Sequence, residues 1–214
     1  MLSNIYIIAH KPDKFTKLCI ESIFGTATPP FRITVVSHTA YAAANKNTVL
    51  NIADTDKFFL VNDDIQFITK GWDELLMESL NHSTDIGMVA PVVRLPREAS
   101  YQPKSTFAPK NCLVTNVRMS DCVLAMRCSS IRLREKYIVS QGDDIDFMLE
   151  NIKQGLIPAV DTRVLVKHME VPVHSNASYL KHNEKLLYDR WGKYCAKSWG
   201  QDPTKFVILK EYSK

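Results

Sequence analysis

The side chains best suited to metal chemistry follow an apolar segment in the first third of the chain. Residues 58–61 are Phe-Phe-Leu-Val, and Asn62, Asp63 and Asp64 come directly after them. A run of aromatic and branched residues predicts a strand covered on both faces, and open α/β sheets bind ligands at the carboxyl ends of such strands. Oxygen ligands there suit Mg²⁺ or Mn²⁺, ions that commonly carry phosphates. An Asx turn is the alternative, because Asn and Asp bond readily to their own backbone.

A second group of acids lies in the later part of the chain. Asp143, Asp144 and Asp146 open a predicted helix that ends at Gly155. One acid at that place is expected to cap the helix and to complement its dipole. Three carboxylates within four positions repel one another unless a cation or a reacting group is near, and such crowding can raise the pKa of one of them. A carboxylate with a raised pKa is a candidate general base.

His168 follows a predicted strand at 163–167. The end of that strand is expected on the ligand-bearing edge of the sheet, where an imidazole could bind a metal ion. A structural role is the alternative, because single histidines are more often structural.

Length and composition bound the class of protein. The 214 residues are 45% hydrophobic and 23% charged, which is ordinary for a globular chain with one sizeable core. The apolar residues 5–9 end at His10, too early for a secretory signal, and no other stretch approaches the length of a membrane span. We therefore expect a cytoplasmic protein with no integral membrane segment. The five cysteines include no Cys-x-x-Cys pair, which favours reduced thiols over disulfides or a zinc site.

The net charge of +4 is unevenly distributed along the chain. Between Arg94 and Lys136 there are nine Lys or Arg and three acids, a local excess of six positive charges. Such a segment could attract phosphates or a polyanionic partner. A solvated basic surface is the plainer interpretation, because charge runs usually only solubilise.

Strands and helices alternate along the first ninety residues. Strands are predicted at 4–9, 32–37, 57–61 and 86–90, the last ended by Pro91, and helices at 13–24, 42–51 and 71–80. This alternation predicts a parallel sheet.

The alternation is lost after Pro91. The stretch 94–111 has no hydrophobic period and is predicted to be a long loop, a common form of lid or binding loop. A strand at 121–127 and a short helix at 129–136 follow, and a basic, largely helical tail begins at Ser178.

The order of these segments resembles that of the family 2 glycosyltransferases, which use nucleotide-sugar donors on the GT-A fold. The resemblance covers residues 4–92 and 121–192. The segments that carry it are Ile8-Ala9-His10-Lys11, Ala42-Ala43-Ala44-Asn45-Lys46-Asn47, Leu60-Val61-Asn62-Asp63-Asp64, Gly71-Trp72, Ile86-Gly87-Met88-Val89-Ala90-Pro91, Gly142-Asp143-Asp144-Ile145-Asp146-Phe147 with Gly155, Val166-Lys167-His168 and Tyr188-Asp189-Arg190-Trp191-Gly192.

Three positions depart from the family pattern. Asn62 replaces the first acid of the family's Asp-X-Asp motif, and Val36-Ser37-His38 stands where the family commonly has an acid that holds the nucleobase or ribose. Asp143 replaces the glutamate that usually opens the later acidic block.

The resemblance implies an α/β fold of one GT-A, Rossmann-like domain with a mostly parallel central sheet and a helical C-terminal tail. This domain would span residues 1–175, with a nucleotide-sugar-binding part (1–92) and an acceptor-binding and catalytic part (93–175). Residues 176–214 would form a basic, largely helical extension packed on the domain.

The resemblance also implies a reaction and a set of roles. A metal-dependent, inverting enzyme would transfer a sugar from a nucleoside diphosphate sugar, with a UDP-sugar as the expected donor, to an acceptor hydroxyl. The acceptor could be a glycan or, on the support of the basic segment alone, a hydroxymethylated nucleic-acid base. Asp64 and His168 would hold Mn²⁺ or Mg²⁺. Asp144 is the expected general base, and Asp143 is the other candidate. The residues expected to contact the nucleotide sugar are Ala9, His10, Ser37, Asn45, Asn62 and Asp63.

Two other functions compete with this one. A nucleotidyltransferase is disfavoured, because the first strand is not followed by a Gly-rich, basic loop for a triphosphate. A module that keeps the fold and binds nucleotides or polyanions without turnover is compatible with the same residues. It predicts binding without release of sugar.

Overall fold

The computed structural model describes residues 2–37, 42–94, 109–116, 119–137, 142–169, 177–192 and 207–213. Within these ranges the chain forms nine strands and five helices. In the first part of the chain they are β1 (Ser3–Ile8), α1 (Lys14–Thr26), β2 (Phe31–Val36), α2 (Ala42–Ile52), β3 (Lys57–Asn62), β4 (Ile65–Phe67), α3 (Trp72–Leu80) and β5 (Ile86–Arg94). In the second part they are β6 (Cys112–Thr115), β7 (Val123–Arg127), α4 (Asp143–Lys153), β8 (Ile157–His168), α5 (Ala177–Trp191) and β9 (Val207–Glu211).

The described strands form one mixed sheet. Its order is β2-β1-β3-β7-β5-β8-β6-β9, with β4 paired to β8. β1 is parallel to β2 and β3, and β5 is parallel to β8, whereas β7 is antiparallel to both of its neighbours, β3 and β5. The β4–β8, β6–β8 and β6–β9 pairs are also antiparallel.

The predicted mostly parallel sheet is therefore correct only in part. That prediction depended on the alternation of strands and helices, since a parallel pair needs a crossover connection that is usually a helix. β6 and β7 both run opposite to β5, so the chain changes direction between β5 and β6. β7 consequently enters the sheet in the opposite direction, and its first residues lie at the edge where β3 ends.

β3 is buried on both faces, as its composition predicts. Phe58, Phe59, Leu60 and Val61 are fully buried, and they alternate between the two apolar clusters that cover the sheet. Phe59 meets the ring of Trp72 from α3 edge-on, with the ring centroids 5.0 Å apart. This packing fixes the strand that leads to the acidic residues.

Helix α1 begins within one residue of its predicted start. Asp13 is its N-cap, because its carboxylate accepts hydrogen bonds from the backbone of Phe15 and Thr16 while Thr16 Oγ1 accepts one from the backbone of Asp13. The buried residues Thr16, Cys19 and Ile23 recur every three or four positions and therefore share one face of the helix.

β5 continues beyond Pro91, so the prediction that this strand ends there is wrong. Its pairing with β8 shifts register between Pro91 and Val92, and its pairing with β7 involves only Met88 and Val89. Proline, which has no N–H to donate, is tolerated at such a bulge.

The short helix predicted at 129–136 is also wrong. Ile131 and Leu133 are buried, whereas Arg132 and Arg134 are exposed, a period of two that is typical of extended chain. The side-chain amide of Asn47 on α2 donates to the Leu133 carbonyl and accepts from its N–H, both at 2.8 Å. Helix α2 is thus hydrogen-bonded to the backbone of this segment.

The C-terminal part contains a strand as well as the predicted helix. β9 pairs with β6, and a polar network joins it to the domain. Tyr212, just after β9, contacts Ser79 Oγ at 2.5 Å, and Ser79 donates to the fully buried carboxylate of Asp161 at 2.7 Å. The Arg163 guanidinium pairs with Asp161 at 2.8 Å and stacks on the Tyr212 ring.

Candidate active site at the carboxyl edge of the sheet

The predicted acidic residues lie at a two-residue turn between β3 and β4. The Asn62 N–H donates to the Cys122 carbonyl at 2.8 Å, and the Asp63 N–H donates to the Ile8 carbonyl at 3.1 Å. The turn is therefore tied to the end of β1 on one side and to the start of β7 on the other. This arrangement presents Asp63 and Asp64 at the carboxyl edge of β1 and β3.

Asp63 is held by helix α1. Its carboxylate accepts a hydrogen bond from Thr16 Oγ1 at 2.9 Å. Burial raises the pKa of the Asp63 carboxyl to about 6, the Asp64 charge adds to this, and the hydrogen bond from Thr16 opposes it. One of its two carboxylate oxygens is thus bound within the chain.

The structure brings Asp64 and His168 together, as predicted. The pairing of β4 with β8 sets Ile65 opposite His168, and the Met169 N–H donates to the Asp64 carbonyl at 2.8 Å. As a result, His168 Nε2 lies 3.3 Å from Asp64 Oδ2. Burial raises the pKa of Asp64, while the nearby His168 opposes that shift.

This pair has the chemistry of a partial metal site. Neighbouring ligands of an octahedral Mg²⁺ at about 2.1 Å are separated by roughly 3 Å, which is compatible with the Asp64–His168 distance. Asp64 Oδ1 is buried and accepts no hydrogen bond from the residues that the structure describes. No group of three or more His, Cys, Asp or Glu suited to a metal ion occurs in the described ranges. Within the described part of the chain, Asp64 and His168 are thus the pair that could hold an ion.

Four of the six residues expected to contact the nucleotide sugar lie at the ends of β1 and β2 or on α2 beside them. The Ala9 N–H donates to the Val36 carbonyl at 3.0 Å, and Asn45 Nδ2 donates to the Ala9 carbonyl at 3.3 Å. Ser37 Oγ donates to the His10 carbonyl at 3.0 Å. Ala9, His10, Ser37 and Asn45 thus form one group, whereas His38 is outside the described residues.

The start of α4 differs from its prediction. The N-cap is Gly142, and no side chain caps the helix, so the prediction that one acid is the cap is wrong. Gly142 has a φ of 86°, and a Cβ at that position would lie 2.8 Å from Leu187 of α5. Both facts require glycine there, because other residues rarely adopt this φ and have no room for their side chain.

Asp146 has a structural partner. The Arg190 guanidinium donates to both of its carboxylate oxygens at 2.8 Å, and Trp191 Nε1 donates to one of them at 2.6 Å. Arg190 also pairs with Glu150. This acid therefore connects α4 to α5 and is not available for chemistry.

Asp143 and Asp144 differ in exposure. The Asp143 side chain is 1% exposed, and neither of its carboxylate oxygens accepts a hydrogen bond within the described part of the chain. Burial raises the pKa of Asp143 to about 7, with Lys46 opposing the shift and Asp121 and Asp144 adding to it. Asp144 is only half-buried, so it is the more accessible of the two to a substrate.

Lys46 and Asp121 form a charged cluster with Asp143. Neither Lys46 nor Asp121 was identified as a site residue from sequence. The Lys46 ammonium pairs with the Asp121 carboxylate and lies 3.8 Å from Asp143 Oδ2. Burial favours the neutral amine, but Asp121 and Asp143 outweigh it and raise the pKa of Lys46. The sequence contains one signal: Lys46 shares a helix face with the buried Ala43 and Leu50, an unusual place for a lysine.

Two of the basic residues between Arg94 and Lys136 are engaged in internal contacts. Arg127 donates to the carbonyls of Leu80, Ser83 and Ile86 at 2.7, 3.2 and 3.0 Å. Arg132 donates to the last turn of α2. These guanidinium groups therefore contribute less to a polyanion-binding surface than their number suggests.

The described strands and helices form a mixed α/β fold with an acidic edge. Among solved structures, residues 1–349 of S. aureus TarS, a GT-A-type family 2 glycosyltransferase, match this chain with a TM-score of 0.63. The match covers 92% of this chain and 73% of that one at 12% identity, so it establishes similarity of fold. No protein-family model and no curated protein matches the sequence. The described helices include none that is long and apolar enough to cross a bilayer.

Proposed function

We propose that this protein is a metal-dependent, inverting glycosyltransferase that uses a nucleoside diphosphate sugar as its donor. The observation that carries the proposal is the pairing of Asp64 with His168 at 3.3 Å, on a GT-A-type fold. Two protein ligands leave the remaining positions of a divalent ion for the donor diphosphate and water. Mn²⁺ or Mg²⁺ suits this set of one carboxylate and one imidazole.

The donor would lie along the carboxyl ends of β1, β2 and β3. The group formed by Ala9, His10, Ser37 and Asn45 would line the nucleotide, partly through backbone atoms. Asn62 and Asp63 would contact ribose or water beside the ion. When bound, the cation supplies positive charge that neutralises the leaving diphosphate. A UDP-sugar is the donor we test first.

Asp144 is the base that we assign to the acceptor. Its carboxylate would take the proton of the acceptor hydroxyl while the hydroxyl oxygen bonds to the anomeric carbon from the side opposite the diphosphate. The bond from that carbon to the diphosphate breaks, and the sugar product has inverted configuration. The accessibility of Asp144 supports this assignment over Asp143, which is buried and paired with Lys46.

A glycan hydroxyl is the acceptor that we favour over a hydroxymethylated base in nucleic acid. The nucleic-acid acceptor depended on the basic segment, and two of its arginines are engaged in the fold. A nucleic-acid acceptor would give activity that falls steeply with salt, since phosphate contacts release counterions. Activity on an uncharged glycan that is insensitive to salt would support the glycan.

The test is donor hydrolysis with a panel of nucleotide sugars in the presence of Mn²⁺ and, separately, of EDTA. Many transferases pass the sugar slowly to water, so one donor should release its nucleoside diphosphate in a metal-dependent way. The Asp144→Asn variant is the control for a contaminating hydrolase. Nucleotide binding with no release from any donor would contradict the proposal and favour a non-catalytic binding module.

A further inference from the structure

Three consecutive polar side chains of α2 are buried, and each contacts a different part of the molecule. Asn45 donates to the Ala9 carbonyl at the end of β1. Lys46 pairs with Asp121 just before β7 and approaches Asp143 of α4. Asn47 bonds to Leu133, in the extended segment that precedes α4. One turn of α2 therefore connects the nucleotide group with the region that carries the assigned base.

The charge of the buried Lys46 ammonium makes the connection between α2 and α4 unusual. The lysine side chain is 1% exposed, and it lies between two carboxylates of which Asp143 is equally buried. A buried charge is costly unless it is paired. Among the described residues, no ion pair other than that with Lys46 reaches Asp143. Without the ammonium, two carboxylates would face each other with no positive charge between them.

The other charged groups near Asp143 act against its ionised form. Asp121, preceding β7, and Asp144, its neighbour on α4, both raise the pKa of Asp143, as burial does. Lys46 is the charged group that opposes them, and the backbone N–H of Asp143 itself acts in the same direction to a smaller extent. At neutral pH the presence of Lys46 thus decides how readily the first residue of α4 can stay ionised inside the protein.

We propose that Lys46 is a positioning residue. Its ammonium pairs with Asp121 and holds Asp143, and with it the start of α4. Asp144 is thereby kept in place at the donor-binding edge. The catalytic part of this inference rests on the proposed function. The structural part rests on the two ion pairs and on burial alone, and it can be tested without any substrate.

The first test compares Lys46→Met with Lys17→Met by urea denaturation and by amide hydrogen exchange. Methionine keeps the length of the side chain and removes its charge, and Lys17 is an exposed lysine on α1. We expect a lower urea midpoint and faster exchange in α4 for Lys46→Met, with α1 unaffected. A midpoint and an α4 exchange rate equal to those of Lys17→Met would overturn the proposal.

A double variant separates loss of a countercharge from general damage to the core. If Lys46 acts on Asp143, Lys46→Met should cost less stability in an Asp143→Asn background, which has no carboxylate left to neutralise. Equal costs in the two backgrounds would overturn the proposal, because Lys46 would then act through Asp121 alone. The cycle remains informative if Lys46→Met by itself is unfolded, since the double variant is then expected to fold.

The pH dependence gives a second readout. Removing Lys46 raises the folded-state pKa of Asp143 further above its value in the unfolded chain. A carboxyl whose pKa is higher in the folded state than in the unfolded chain destabilises the fold as pH rises between the two values. The reason is that the unfolded chain releases the proton more readily than the folded protein does. The urea midpoint of Lys46→Met should therefore fall more steeply between pH 6 and pH 9 than that of the wild-type protein. Parallel curves would contradict the countercharge role.

Kinetics test the positioning of Asp144. For Lys46→Met we expect kcat to fall about 100-fold, the effect of displacing a reacting group by roughly 1 Å, with an unchanged Kd for the nucleoside diphosphate. Lys46→Arg, which keeps the charge, should recover part of kcat. If the wild-type protein transfers no sugar, the proposed function fails, yet the stability and exchange results still decide the structural role. An unchanged kcat in Lys46→Met would overturn the positioning role.

Discussion

Asp143 and Asp144 are adjacent in sequence but differ in their surroundings. Asp143 lies inside the protein opposite Lys46, whereas Asp144 is half-buried. A group that takes a proton from a substrate must be within hydrogen-bond reach of it, so geometry favours the more exposed residue. The raised pKa of Asp143 then reflects its burial and not a direct part in proton transfer.

Replacing Asp144 with asparagine should abolish most of the transfer. The amide keeps the shape of the side chain but cannot accept the acceptor proton, and a positioned base contributes about 10² to 10⁴ in rate. We expect kcat to fall by that factor with donor affinity unchanged, measured by coupled release of nucleoside diphosphate and by calorimetry. Asp189→Asn, at an exposed acid of α5, is the matched control. Near-normal turnover in Asp144→Asn would reassign the base, most directly to Asp143.

Replacing Asp64 with alanine should weaken metal-dependent binding of the donor. Loss of a partner that merely orients a metal ligand costs 10- to 100-fold in affinity, so loss of a ligand should weaken binding by at least about tenfold. Calorimetric titration of a nucleoside diphosphate with Mn²⁺ and with EDTA measures this difference. Asp54→Ala, at an exposed acid paired with Arg32, should bind like the wild-type protein. Equal Mn²⁺-dependent affinity in Asp64→Ala would refute the metal assignment.

At the level of single residues, the candidate site was partly predictable from sequence. Asp64 and His168 each follow a strand pattern, and the carboxyl ends of neighbouring strands meet at one edge of a sheet. Asp121 has no such signal, because it reaches the same edge only through the reversed direction of β7. Lys46 was not identified because it lies in a helix, where a lysine is ordinarily exposed.

α5 and α4 are joined by a pair that is mostly buried. Asp146 is 2% exposed and accepts hydrogen bonds from both Arg190 and Trp191. Leu187 packs against Gly142 at the start of α4. The C-terminal helix therefore fixes the end of α4 that carries the assigned base.

Arg190→Gln should destabilise the protein much more than Lys185→Gln on the same helix. Removing one partner of a buried ion pair leaves an uncompensated charge and costs about 3 kcal/mol or more. Lys185 pairs with Asp189 on the exposed surface, and a pair of that kind contributes about 0.3–0.5 kcal/mol. Urea denaturation of the two variants measures the difference. Equal midpoints would show that the Arg190–Asp146 contact is unimportant for the fold.

Helices and strands formed by interactions between residues close in sequence were predicted, whereas those that depend on remote partners were missed. α1 and α3 were predicted because the apolar spacing of each helix is a local pattern. β4, β6 and β9 were missed, since they have three to five residues each and partners remote in sequence. β4, for example, is a strand only because β8 lies beside it. Intrinsic preference for strand is weak where packing and partners decide.

The two parts of the chain cannot form separate sheets. β7, from the second part, lies between β3 and β5 of the first, and β5 pairs with β8 along most of its length. The boundary at residue 92 therefore does not separate independent folding units.

A fragment of residues 1–92 should not fold cooperatively. Without β7 and β8, β3 loses one partner strand and β5 loses both, so backbone N–H and C=O groups along these strands would be left unpaired. We expect no sigmoidal urea transition and no near-ultraviolet dichroism for the fragment, against a single transition for the full chain. A cooperative transition in the fragment would show that its strands rearrange into a sheet of their own.

The insertion of β7 between β3 and β5 also has a consequence during synthesis. Asp64 leaves the ribosome about a hundred residues before its partner His168, and the strands on either side of β7 are complete before β7 is made. Domains generally fold as units once their sequence has emerged. A nascent chain of this protein would therefore be unable to bring Asp64 and His168 together until β8 is translated, and ribosome-bound chains shorter than that should expose apolar residues of β3 and β5 to chaperones.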